Sequence, residues 1–363
     1  MKNGRTLCVV AGSSGGHILP ALSIGRKWQK NNLDGKILFI TGRKKIDKSL
    51  LKKEKSFSGL CQLSLSNVPG KQVWLYPQFL LQCLVSFLKS FFYLLWFRPE
   101  RVVSTGGHIA IPPCLSAKLL RIPVELYELN VIPGRTIKAL APIAKKVFMT
   151  FEKSKTFFAA AEVKPQKFET CEYPLQFEGD AAAYNKKGAF HFINESIDES
   201  NIGLRLHFTR DRKTLFVLGG SQGSVYLNKL LKKWLLQNKN SIENFQIIHQ
   251  TGSSDKTDWD VFYQALAIPY FVFSYSSDIK DFYLIADYVI SRGGAGSLFE
   301  LKSMKKKSLI VPLAMVAKNH QVMNAREMVA MHPEIFSMCD PRDLEKDSEV
   351  FYDAVHSLIE TNN

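Results

Sequence analysis

Gly12-Ser13-Ser14-Gly15-Gly16-His17 follows the apolar run Thr6 to Ala11, and Gly219-Gly220-Ser221-Gln222-Gly223-Ser224 follows Thr214-Leu215-Phe216-Val217-Leu218. Each is a strand-forming segment that runs into a glycine-rich turn, and behind the first turn Pro20 to Gln29 continues with apolar residues at helical spacing. This β-turn-α opening, used once in each half of the chain, predicts two nucleotide-fold domains facing one cleft. Glycine suits such turns because the backbone must adopt conformations a side chain would block, and because bare N–H groups at a helix start can then approach an anion. The ligand is therefore expected to carry phosphate. Neither turn has the spacing Gly-x-x-x-x-Gly-Lys-Ser/Thr or Gly-x-Gly-x-x-Gly, which argues against nucleoside triphosphate hydrolysis and dinucleotide chemistry.

Outward from the first turn, Ile37 to Thr41, Val102 to Ser104, Val124 to Tyr127 and Lys146 to Thr150 read as strands. Outward from the second, Phe245 to His249, Tyr270 to Phe273, Tyr288 to Ser291 and Ser308 to Val311 do so. Strands alternating with helical stretches predict an α/β protein with two doubly wound parallel sheets. At 363 residues the chain exceeds what one core usually supports. The division expected is a first domain over 1–174, a linker and insertion over 175–212 and a second domain over 213–345. In the last segment Val350, Phe351, Ala354, Val355, Leu358 and Ile359 share one helical face, and a helix over 346–363 is expected to pack back on the first domain.

The formal charge of +15 points to an acidic partner: nucleic acid, an anionic membrane or a phosphorylated substrate. Basic residues gather in Arg43-Lys44-Lys45 with Lys48, Lys52, Lys53 and Lys55, and again in Lys305-Lys306-Lys307. No stacking-aromatic motif for nucleic acid accompanies them, so no nucleic-acid partner is expected. The six cysteines are scattered without a Cys-x-x-Cys pair, which fits a reducing compartment and indicates neither a zinc site nor a disulfide framework. Val9 to Ile24 holds glycines, serines and a histidine where a secretory signal would be uninterrupted and apolar, so no such signal is expected. Phe79 to Phe97 carries one charge in nineteen residues. Its Gln82, Ser86, Lys89, Ser90 and Tyr93 fall in one narrow stripe, which favours a buried or interfacial amphipathic helix over a spanning one. With Lys71, Val73, Trp74, Leu75 and Tyr76 just before it, the segment is expected to touch a membrane surface.

Laid in order, the stretches Ala11 to Ala21, Thr105 to Pro112, Glu128 to Gly134, Leu218 to Gly223, Ser291 to Glu300 and His320 to Ala325 resemble the motifs of the MurG-type N-acetylglucosaminyltransferases. The resemblance covers nearly the whole chain. It implies the GT-B architecture of two Rossmann-like domains, with the lipid acceptor on the N-terminal domain and the UDP-sugar donor mainly on the C-terminal one. It implies transfer of N-acetylglucosamine from UDP-N-acetylglucosamine, with inversion, to the muramoyl 4-hydroxyl of an undecaprenyl-diphosphate-linked muramoyl-peptide. The place implied is the cytoplasmic face of the plasma membrane, with no cofactor and no metal.

By that resemblance His17 is the general base. Ser14, Gly15 and Gly16 belong to the loop over the donor, with Asn130 at the junction of donor and acceptor. Ser221 meets the donor diphosphate, and Ala295, Gly296, Ser297, Leu298 and Phe299 lie beneath uridine and phosphates. Glu300 takes the ribose hydroxyls and Gln321 the donor sugar. A further donor contact falls at Ser276, and Gly106, Gly107, His108 and Glu128 face the acceptor. The chain also departs from the family's pattern. His108 stands for a tyrosine, Tyr127-Glu128-Leu129-Asn130 for His-Glu-Gln-Asn, and Tyr173-Pro174-Leu175-Gln176 for Asn-Pro-Val-Arg, so Gln176 meets the donor without a charge. These departures leave open a related transferase acting on another lipid, and a binding homologue without turnover.

Overall fold

The computed structural model describes residues 5–12, 14–43, 51, 54, 56–70, 72–161, 163–177, 185–199, 206–220, 223–276, 279–313 and 319–360. Ser13, Ser221, Lys71 and the lysines at 44, 45, 48, 52, 53 and 55 lie outside the described residues. The chain divides into two units, Met1–Gln176 and Phe177–Asn363.

The first unit is built on seven strands: β1 (Thr6–Val10), β2 (Lys36–Thr41), β3 (Gly59–Gln62), β4 (Arg101–Ser104), β5 (Val124–Glu128), β6 (Lys146–Met149) and β7 (Phe168–Thr170). They lie in the order β3-β2-β1-β4-β5-β6-β7, and the pairs are parallel. Successive side chains of a strand point to opposite faces, and here both faces are covered. Leu7, Val9, Ile37 and Phe39 join Ile18, Ala21 and Leu22 of the helix Gly15–Lys30 in one layer. Cys8, Val10, Leu38 and Ile40 join Leu94, Ala110 and Cys114 in the other. That two-sided burial is why these strands read as unbroken apolar runs rather than alternating ones.

The second unit repeats the plan with β8 (Lys213–Leu218), β9 (Phe245–Gln250), β10 (Tyr270–Phe273), β11 (Tyr288–Ser291), β12 (Lys307–Ile310) and β13 (Phe336–Met338). Its order is β10-β9-β8-β11-β12-β13, again with parallel pairs. In each sheet the strand order reverses beside the first strand, between β1 and β4 and between β8 and β11. Ligands of open parallel sheets bind outside the strand C-termini at such a reversal.

Two segments differ from their sequence reading. The closing helix, Glu349–Glu360, was expected to pack on the first domain. Its Phe351, Tyr352, Val355 and Leu358 are instead buried in the second unit's core with Trp234 and Tyr288, and the Tyr288 hydroxyl donates to the Ile359 carbonyl at 3.1 Å. An apolar face shows that a helix docks, but not where. The stretch read as linker and insertion contains a helix, Lys186–Glu199, whose Phe190, Ile193 and Ile197 are buried. Asn194 anchors the returning chain by exchanging two hydrogen bonds with the backbone of Phe208, at 2.8 and 3.1 Å.

The helix Tyr76–Phe97 is inside out relative to a helix of a water-soluble surface. Its buried residues are Ser86, Ser90 and Leu94. Gln82 accepts from the Ser66 amide at 2.9 Å, Lys89 donates to the Gln62 carbonyl at 2.9 Å, and Ser116 of the helix Ile111–Leu119 donates to the Phe87 carbonyl at 3.0 Å. The polar stripe thus holds the helix to its unit. Leu81, Leu84, Val85, Leu88, Phe92 and Trp96 face outward, Phe92 being 62% and Trp96 85% exposed. Leu115 and Leu119 extend the apolar surface onto the neighbouring helix, and Arg98, Lys118 and Arg121 are exposed at the ends of the two helices. By length and composition Val73–Phe97 could cross a membrane.

Candidate active site

The first unit brings its predicted residues together at the C-terminal ends of β1, β4 and β5, which are neighbours in the sheet. After β1, Ser14 is the N-cap of the helix Gly15–Lys30 in an extended conformation, and no side chain caps it, so Gly15 and Gly16 open a helix whose first N–H groups face outward. His17 lies in that first turn, half-buried. Its carbonyl accepts from the Thr105 hydroxyl at 2.8 Å, which ties the turn to the loop after β4. In that loop Gly106 and Gly107 have φ of 99° and 82°. A Cβ at Gly107 would stand 2.8 Å from the Gly12 carbonyl and 3.7 Å from the His17 ring, and one at Gly106 would stand 3.5 Å from the same ring. The imidazole therefore rests against bare backbone. His108 donates from Nε2 to the Leu65 carbonyl at 3.2 Å.

Glu128 ends β5 and is buried. One carboxylate oxygen accepts from the Asn130 amide at 2.9 Å and from its side chain at 3.2 Å, and the other accepts from the Gly134 amide at 2.8 Å. Ser154 donates to the Asn130 carbonyl at 2.8 Å and so fixes that loop from the far side. Burial pushes the Glu128 carboxyl up to about 7, against the pull of these N–H donors. Its placement makes it a brace that presents Asn130. Gln176 is half-buried at the last position of the unit.

In the second unit the loop after β8 reaches Gly223, where φ is 76° and any Cβ would collide with the carbonyl of Thr251. Ser224 then caps the helix Val225–Gln237 by accepting from Leu227 N–H at 3.3 Å. Thr251 is held from beneath by a buried network. Asn228 donates to the Thr251 carbonyl at 3.1 Å and to Asp255 at 2.7 Å, and its oxygen meets His249, whose other ring nitrogen meets the Tyr263 hydroxyl at 3.0 Å. Burial holds His249 down to about 3, so the ring is neutral and braces the strand end.

After β11, Gly294 is the N-cap of the helix Ala295–Ser303, and again no side chain caps it. The N–H groups of Ala295, Gly296 and Ser297 open its first turn, while Leu298 is fully buried and its N–H bonds the Gly294 carbonyl, so Leu298 serves the core. Phe299 is half-buried, with the Lys302 ammonium 6.0 Å from its ring centroid. Gly293 packs directly on the Gln321 backbone, and Asn324 donates to its carbonyl at 3.4 Å. Gln321 in turn accepts from the Leu313 amide at 3.2 Å. Ser276 follows β10, the edge strand, two places away from β8.

Glu300 is 8% exposed and accepts from the Tyr283 hydroxyl at 3.0 Å. Its second oxygen has no hydrogen-bond donor among the described residues. Burial raises this carboxyl to about 7, and the Tyr283 bond opposes the shift. A buried carboxylate whose second oxygen has no donor among the described residues, in the second turn of a helix with an open start, suits a ligand that offers hydroxyls there.

Arg292 received no role from the sequence. Its Nη1 donates to the carbonyls of Gly219 and Gly223 at 3.3 and 3.1 Å, and burial lowers its pKa. It straps one glycine loop to the base of the other and places a cation between them. The sequence signal for it is a basic residue directly before Gly293-Gly294.

Glu128 gives a stability test. Its folded value lies above the ordinary 4.5, so its contribution is fully present below that value and is lost as pH rises through about 7. From about pH 5 to about pH 8 the unfolding free energy of the native protein should fall more steeply than that of Glu128→Gln, by up to about 1.4 kcal/mol per pH unit. Urea unfolding measures it, and parallel pH curves would rule out the raised Glu128 carboxyl.

Residues 7–149 match the family model described as glycosyltransferase family 28 N-terminal domain, and residues 214–336 match the one described as glycosyltransferase family 28 C-terminal domain. The chain is similar to the UDP-N-acetylglucosamine--N-acetylmuramyl-(pentapeptide) pyrophosphoryl-undecaprenol N-acetylglucosamine transferase of Thermodesulfovibrio yellowstonii, with 30% identity over 331 residues, 89% of this chain and 82% of that protein. The protein of the same name from Finegoldia magna is 27% identical over 362 residues, 98% of this chain and 90% of that one. Among solved structures, MurG of Acinetobacter baumannii has the same fold, with a TM-score of 0.67 at 22% identity over 98% of this chain and 91% of that one. With both domains matched in order and relatives aligned over most of their length, the chain belongs to glycosyltransferase family 28 and is a transferase of the MurG type with the GT-B fold.

Proposed function

We propose that the chain moves N-acetylglucosamine from UDP-N-acetylglucosamine to the muramoyl 4-hydroxyl of an undecaprenyl-diphosphate-linked muramoyl-peptide, the step from lipid I to lipid II in peptidoglycan synthesis. The observation that carries this reading is Glu300, whose second oxygen has no donor among the described residues and which stands six residues past the uncapped helix start at Gly294. Together they suit a ribose and a diphosphate. In this reading the acceptor oxygen attacks C1 of the sugar with inversion, and the C1–O bond to UDP breaks with its electron pair leaving on the diphosphate. His17 takes the hydroxyl proton, a task for a near-neutral imidazole. The N–H groups of Ala295 and Gly296, the helix dipole behind them and Arg292 stabilise the departing charge. Ser221, Gln321, Ser276, Gln176, Asn130 and the Ser14 to Gly16 turn complete the donor contacts, and Gly106, Gly107, His108 and Glu128 form the acceptor side.

Removing a hydrogen bond to a charged group costs about 1.5–3 kcal/mol, so Glu300→Ala should weaken UDP binding by roughly 10- to 100-fold. His17→Ala should leave UDP binding intact and remove transfer of labelled sugar to the lipid-linked acceptor. Calorimetry and the transfer assay read the two effects. Unchanged UDP affinity in the first variant, full turnover in the second, or a preference for diacylglycerol as acceptor would overturn the proposal.

The same reading places the enzyme on the cytoplasmic face of the plasma membrane. The outward apolar face of Tyr76–Phe97, rimmed by Arg98, Lys118 and Arg121, supports partial insertion among anionic headgroups. Leu84 and Trp96 are both exposed, so replacing each by Glu should spare the fold. At about 1.5–3 kcal/mol per side chain, each change should lower partition onto phosphatidylglycerol vesicles about tenfold or more. Co-sedimentation equal to that of the native protein would exclude this helix as the anchor.

A further inference from the structure

At the opposite end of the second sheet from the glycine loops lies a cavity of about 530 Å³. It opens where Lys213 begins β8 and Asp287 precedes β11, so roughly 20 Å of strand separates it from Gly219. Five cationic side chains line it: Lys186, Lys187, Arg210, Arg212 and Lys213. Among the described residues none of the five forms an ion pair, although acidic residues pair with bases elsewhere on the molecule. Of the two carboxylates in the wall, Asp287 is committed to the sheet, where it accepts from the Thr214 amide at 2.8 Å. Against only Asp211 and Asp287, the five cationic side chains leave the hollow with an excess of positive charge.

One of the five cationic groups is held in place. Arg212 donates to the carbonyls of Glu243 and Phe245. Behind the wall Lys306 donates to the carbonyls of Ala286 and Leu284, at 2.7 and 3.3 Å. Burial, with the charge of Lys186 adding to it, lowers the Lys306 ammonium to about 8. An anion arriving in the hollow would relieve that strain on both lysines. Of the other lining groups, Phe190 is an apolar side chain suited to a bound molecule's organic part, and Asp211 is an exposed carboxylate able to accept from hydroxyls.

We propose that this cavity is a second anion site, taking a small organic phosphate with two or more negative charges, remote from the donor site. Its size is that of a nucleotide-scale ligand rather than of a lone phosphate ion. The site lies outside the transfer chemistry, so its occupant is not the transferred substrate.

The test uses the full chain and inorganic pyrophosphate, titrated by calorimetry in the presence of saturating UDP. One pyrophosphate should bind per chain. Both Arg210 and Lys213 are exposed, and Arg210→Glu with Lys213→Glu should weaken that binding by about tenfold or more while leaving UDP affinity unchanged. Lys186→Gln with Lys187→Gln should weaken it to a smaller degree, which keeps the test valid if the charge-reversed variant folds poorly. The comparison of variants reads the cavity whether or not UDP binds. No pyrophosphate binding beside UDP, or equal binding by the variants, would overturn the proposal. So would a loss confined to phosphatidylglycerol vesicles, which would make the patch a headgroup contact.

Discussion

The structure depends on backbone approaching backbone where the central strands end. Gly223 lies against the Thr251 carbonyl, Gly293 against Gln321, and Gly107 against Gly12, each with no room for a side chain. These contacts turn the chain sharply from strand to helix and leave the helix starts at Ser14 and Gly294 without side-chain caps. A helix start left open in this way is an anion site made of peptide dipoles, which carry no proton to lose and need no metal. The rest of each unit holds these turns in place: the His249 network beneath one, Arg292 strapped across two, and Glu128 beneath a third.

Much of this was legible in the sequence, and the reason is burial. Every strand read from an apolar run is present, because central strands of a parallel sheet are covered on both faces and must be apolar throughout. The strands that were missed are β3, β7 and β13, and all three are edge strands of three or four residues. With one side unpaired and only partly buried, Phe168-Glu169-Thr170 and Phe336-Ser337-Met338 have no continuous apolar pattern to detect. The glycine turns were visible for the opposite reason, since few residues other than glycine can occupy them.

Periodicity found faces but not the direction they point. The polar stripe of Tyr76–Phe97 is the inward side, where Gln82 meets Ser66 and Lys89 meets Gln62 while the Phe87 carbonyl accepts from Ser116, and the apolar side is exposed. The same limit applied to Glu349–Glu360, whose apolar face fits the second core. Charge was harder still. The basic composition pointed to acidic partners, but only three-dimensional placement gathers residues 186, 187, 210, 212 and 213 around one hollow, and only hydrogen-bond geometry gives Arg292 a function.

The central claim is that peptide N–H groups at the start of the Ala295–Ser303 helix hold a diphosphate while Glu300 holds the ribose. A diffraction structure of the full chain with UDP tests it most directly. The account predicts β-phosphate oxygens accepting hydrogen bonds from the Ala295 and Gly296 amides, with both ribose hydroxyls turned toward the Glu300 carboxylate. A diphosphate bound away from that helix start, or a ribose with no contact to Glu300, would contradict it.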